Sequence, residues 1–241
     1  MKKSHTSLWI FIIYIIAQLS AVVGLPLVIP FVSDGRTPQE AYLAASGWWM
    51  FIAFGITTIA ALLLSGRDKH YFKTPKGKRS PLWVAIVLGI AGFFMVLFGQ
   101  GAAGMIEQAL GIEPGSDNTA ALVSVADMAP VAIVAVVLFA PILEEFIFRR
   151  IIFGGLVDRT NFFVAAAVSS LVFAAVHLDF THILLYAASG FIFAFLYHVT
   201  KRLITSIIAH MLLNGFVMAV QLNIDKIQEF IDQMERIANM Q

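Results

Sequence analysis

Seven stretches of the chain run for 17 to 25 residues almost without charge: 8–32, 44–65, 82–105, 129–148, 162–178, 183–200 and 203–221. A helix needs about 20 such residues to cross the hydrocarbon core of a bilayer. In that core each segment has to satisfy its own backbone N–H and C=O groups, as a helix does. The sequence therefore predicts an all-α, polytopic membrane bundle of about seven transmembrane helices. A charged fraction of only 13% and a mean hydropathy of +0.85 agree with that reading. The chain has no cysteine, which excludes disulfides, thiolate catalysis and cysteine-ligated metals.

Charge distribution gives an orientation. The first run follows Lys2 and Lys3 and is too long for the apolar part of a signal peptide, so it reads as a signal anchor. With the N-terminus in the cytoplasm, the inside segments 1–7, 66–81, 149–161 and 201–202 hold 13 of the 16 lysines and arginines. The outside holds only Arg36, Lys226 and Arg236, and the loop 106–128 carries four acids and no base. The positive-inside rule favours this arrangement. Residues 1–221 read as one membrane-embedded domain. The tail 222–241 has Ile224, Ile227, Phe230, Ile231, Met234 and Ile237 at helical spacing, which predicts an amphipathic helix on the membrane surface or against a partner.

Four polar groups interrupt the apolar runs. A carboxylate at the centre of a span costs about 2.5–3.5 kcal/mol, so such groups face protein or a water-filled cavity. Glu144 and Glu145 lie in "FAPILEEFIFRR" (139–150). Glu145 and Arg149 are four apart on one helix face and can pair. Glu144 points about 100° away and is left available. Pro141 lacks an N–H and frees the carbonyl of Val137. His177 lies in the next run, as far after the turn at 158–161 as Glu144 lies before it, so a helical hairpin brings the two to one depth. His210 and Asn214 share a face of the last run, with Ser206 before them. His182 falls at a predicted helix end and reads as interfacial.

A glutamate poised by a histidine takes a proton from water, while a second histidine and an amide donate to a developing oxyanion. The set hydrolyses an amide bond without a covalent intermediate. Glu plus two His is equally a ligand set for catalytic zinc. Intramembrane acids and histidines also build proton relays, but no repeat symmetry of a transporter is present. A non-catalytic scaffold or immunity protein is the other alternative.

The motifs "EEFIFR" (144–149), "FAAVH" (173–177) and "HMLLN" (210–214) resemble, in order, the Glu-Glu-x-x-x-Arg, Phe-x-x-x-His and His-x-x-x-Asn motifs of the CPBP family of CAAX proteases and bacteriocin-processing proteins. The resemblance spans 144–214 and implies a catalytic core at 129–221. It implies an intramembrane endopeptidase of the bacterial cytoplasmic membrane. Glu144 would be the general base and His177 its partner. His210 and Asn214 would form the oxyanion hole, with Glu145 and Arg149 in support. Its substrates would be membrane-associated peptides or proteins, as in peptide maturation or bacteriocin self-immunity, and not nucleic acid. No cofactor is favoured, because Asn214 is a natural oxyanion donor and a poor zinc ligand. A divalent metal such as zinc, on Glu144, His177 and His210, is the alternative.

Overall fold

A computed structural model describes residues 5–73 and 75–239. Lys2 and Lys3, on which part of the orientation argument rests, lie outside the described residues, as do the last two residues of the tail. Among the described residues there is no strand.

The first apolar run is not one straight helix. It forms α1 (Thr6–Leu19) and α2 (Ala21–Val32), bent by 48°. At the break, the Ser20 hydroxyl donates to the Ala17 carbonyl at 2.7 Å and accepts the Trp49 indole N–H at 2.9 Å. Gly24 makes room for that indole, since a Cβ there would come within 1.9 Å of it. α3 (Pro38–Arg67) starts six residues before the apolar run. Its start is set by a capping box between Thr37 and Glu40, with Pro38 in the first turn.

α4 (Leu82–Ala109) is followed by a second departure from expectation. The acidic loop 106–128 is mostly helical, because α4 runs into it and Ser116 caps α5 (Asp117–Met128) by accepting the Thr119 N–H at 3.2 Å. α6 is the continuous helical run 132–157. It widens to π-helix at Ala135–Phe139 and again at Glu145–Phe153. After a turn, Asn161 caps α7 (Phe162–Ala175) through the Val164 N–H. α8 (Ile183–Thr200) and α9 (Leu203–Gln221) complete the bundle. The amphipathic α10 (Ile224–Ala238) follows and buries no residue.

Among the described residues four helices (α3, α4, α8 and α9) are long and apolar enough to cross a bilayer, and the α1–α2 pair makes five if counted as one span. The expectation of seven is not met on this measure. α7 has 14 residues, which rise about 21 Å against a core of about 30 Å. α6 carries charges in its lower half. The apolar side chains on the bundle's outer faces, such as Phe31, Phe98 and Leu171, are exposed as a lipid-facing surface requires.

α8 packs on α7 and α4, and α4 packs on α9. α7 and α8 approach closely at Gly190, where a Cβ would lie 2.9 Å from the Ser170 Cα. The 66–81 connector is tied to the bundle rather than free. Arg150, expected to mark the membrane edge, is buried; it donates to the Tyr71 carbonyl and stacks over the Tyr71 ring at 4.4 Å. Burial pushes the Tyr71 phenol above its ordinary range, so it stays neutral beside the guanidinium. Arg202 likewise donates to the Ser80 carbonyl.

Candidate active site

The site starts with a missing N–H. In the π-turn before Pro141, the Ala140 N–H bonds the Ala135 carbonyl, five residues back. The next bond in that pattern would join Pro141 to Val136, and proline has no donor. The carbonyl without a backbone donor is thus Val136, one residue before Val137, where an α-helix would have put it. Asn214 supplies the donor, with its amide nitrogen 2.9 Å from the Val136 oxygen. This contact ties α9 to α6 and uses one of the two amide hydrogens.

The two glutamates sit in different surroundings. Glu145 is fully buried, 3.3 Å from the Arg149 Nε, as their spacing predicted. Arg149 is fully buried too, and its guanidinium lies between aromatic faces, 4.4 Å from Phe173 and 5.1 Å from Phe193. Glu144 is part-exposed to a cavity, with 17% of its side chain accessible. His210 bridges the pair. Its Nδ1 is 3.0 Å from the Glu145 Oε1 and its Nε2 is 3.6 Å from the Glu144 Oε2. Phe193 stacks on its ring at 4.5 Å. The Glu144 Oε2 is buried without a hydrogen-bond partner among the described residues.

His177 sits just past the end of α7, on a turn whose next residue, Leu178, has a left-handed φ of 56°. Its Nδ1–H donates to the Phe173 carbonyl at 2.7 Å, which leaves Nε2 with its lone pair. Glu144, His177, His210 and Asn214 all line one cavity of about 590 Å³. Glu144 and His177, which the hairpin argument sets at one depth, line the same chamber. The imidazole that comes within 4 Å of a Glu144 oxygen is nevertheless that of His210, because equal distance from a turn fixes depth and not the direction a side chain takes.

A profile of the type II CAAX prenyl endopeptidase family, Rce1-like, matches residues 126–216. YdiL of Bacillus subtilis (strain 168), provisionally named a membrane peptidase, is 41% identical over 236 residues, covering 97% of this chain and 94% of its own length. The membrane-embedded CAAX protease MroQ of Staphylococcus aureus (strain USA300) is 34% identical, covering 92% of this chain and 91% of its own. This chain belongs to the CPBP family of membrane CAAX proteases. It is a membrane-embedded endopeptidase by that membership. No solved structure matches.

Seen as a CAAX protease, the chain has cavity residues that the sequence reading passed over. Tyr14 and Gln18 reach the cavity from α1, bonded to each other at 3.1 Å. Glu107 of α4 is buried, 2.9 Å from His182, which is itself buried rather than interfacial. The only sequence signal for Glu107 was an acid at the end of an apolar run. Ser116, Asn118, Asp179 and Tyr186 form a further hydrogen-bonded group. Glu144, His177 and His210 do not form a metal cage here. Among the described residues no three acid or histidine side chains converge as a metal requires, and the His210 Nδ1 faces Glu145.

Proposed function

We propose that this CAAX protease cleaves membrane-associated peptides or proteins with a water molecule activated by Glu144. The observation that carries the reading is the contrast between the two carboxylates. Among the described residues the Oε2 of each acid is buried without a hydrogen-bond partner, but Glu145 is fully buried and neutralised by Arg149, whereas the Glu144 Oε2 belongs to a side chain that is 17% accessible and borders the cavity. A water in the cavity satisfies that oxygen. Glu144 takes its proton as the water oxygen adds to the scissile carbonyl carbon. The His177 Nε2 lone pair accepts the water's other hydrogen and orients it. The oxyanion that forms is held by the second Asn214 hydrogen, and by His210 Nε2 when both ring nitrogens carry a hydrogen, since the Nδ1–H is committed to Glu145. Glu144 then passes its proton to the leaving nitrogen as the C–N bond breaks, releasing an acid and an amine. His210 retains its bond to Glu145 throughout, which supports a donor in a fixed place.

The cytoplasmic placement of the N-terminus is part of the proposal. It rests on the 13-to-3 division of Lys and Arg. The test of function is a comparison of membrane peptides, by mass spectrometry, between cells carrying the native chain and cells carrying Glu144→Gln. Cleavage products present only with the native chain are expected. Identical peptide sets, with the variant folded and inserted, would overturn the base assignment.

A further inference from the structure

His177 has an unusual support for a residue so central to the reaction. It lies beyond the last turn of α7, so the helix does not hold its side chain. Its ring is placed by three contacts: the Nδ1–H bond to Phe173, the edge of the Phe173 ring at 4.6 Å, and the face of Tyr186, stacked at 4.2 Å and 28°. The first two come from within its own motif. Tyr186 comes from α8.

Tyr186 is itself held at its hydroxyl. Ser116 Oγ lies 2.9 Å from it and the Asn118 amide nitrogen 3.2 Å. The Ser116 hydroxyl has one hydrogen, and it goes to the Asp179 carboxylate at 2.7 Å. The direction of the chain follows. Asn118 donates to Tyr186, Tyr186 donates to Ser116, and Ser116 donates to Asp179. Asp179 is two residues beyond His177 on the same turn, so the chain closes back on the backbone that carries the histidine. Asp179 and Tyr186 are both buried, and Ser116 is anchored by its role as the α5 cap.

We propose that Tyr186 is a positioning residue for His177, aligned by Ser116 and Asn118 from the α5 end of the cavity. Its ring stops the imidazole from turning off the Phe173 carbonyl and so keeps Nε2 as the acceptor on the cavity side. Neither Ser116 nor Asn118 lies in the region matched by the family profile. The start of α5 thereby becomes part of the catalytic geometry. The inference rests on the reading of His177 as the partner of Glu144.

The test uses the full chain in lipid nanodiscs with ¹⁵N-labelled histidine, the His177 signals being assigned by their loss in His177→Gln. The native protein is expected to show His177 as a single Nδ1–H tautomer. Tyr186→Leu and Ser116→Ala are expected to give mixed tautomers, and Tyr186→Phe, which keeps the ring, a smaller change. On a membrane peptide whose cleavage depends on Glu144, Tyr186→Leu is expected to lower kcat between about tenfold and a hundredfold, with KM within about twofold. Tyr186→Phe should restore most of the rate. Should Tyr186→Leu not fold, Ser116→Ala carries the same test. His177 ring signals unchanged in the folded variants overturn the inference, whatever the rate does. Ring signals that shift as expected, in a protein that cleaves no membrane peptide, support the positioning and overturn the hydrolase reading instead.

Discussion

Glu144 and Glu145 are chemically identical neighbours whose surroundings give them opposite consequences on substitution. Glu144→Gln keeps the volume and removes the base. It is expected to cut cleavage by about 10²–10⁴-fold with little change in the thermal midpoint in detergent. Glu145→Gln leaves the fully buried Arg149 guanidinium without its counter-charge. It is expected to cost about 3–5 kcal/mol of stability, read as a lower midpoint and poor recovery of folded protein. The pairing of Glu145 with Arg149 was legible in the sequence, because a spacing of four on a helix is a local fact. The His210 bridge was not. It depends on how α9 is rotated against α6, and that is decided by packing far from either motif.

Among the elements, α6 departs furthest from a plain span. Pro141 and Asn214 are partners there, one removing a donor and the other replacing it. Pro141→Ala returns an N–H to the helix, so the π-turn can tighten and Asn214 has to share its acceptor with a backbone donor. The variant is expected to hold its stability within about 1 kcal/mol but to lose cleavage of the Glu144-dependent peptide. A thermal midpoint measured beside the rate separates the two effects. Gly190→Val places a side chain against the Ser170 backbone and is expected to part α7 from α8, lowering the midpoint. Helix existence was legible from apolar run length, and the α3 start from its capping signature. The bend at Ser20 and the two π stretches were not. Trp49 reaches Ser20 from another helix, and a π-turn leaves no mark on hydropathy.

For the molecule as a whole, the absence of cysteine makes orientation directly measurable. With the N-terminus inside, Lys78→Cys is expected to resist a membrane-impermeant maleimide added to intact cells, and Asp117→Cys to react. The reverse pattern would invert the topology. Thorough chelation of the purified protein is expected to leave Glu144-dependent cleavage intact; loss of activity restored by zinc would overturn the metal-independent mechanism. The setting of Glu144 carries one more consequence. Only 17% of its side chain is accessible, and that part borders the cavity. On the proposed mechanism the peptide bond has to be carried into the chamber to meet the activated water, so a membrane peptide is expected to be cut only where a stretch of it can leave the bilayer and enter.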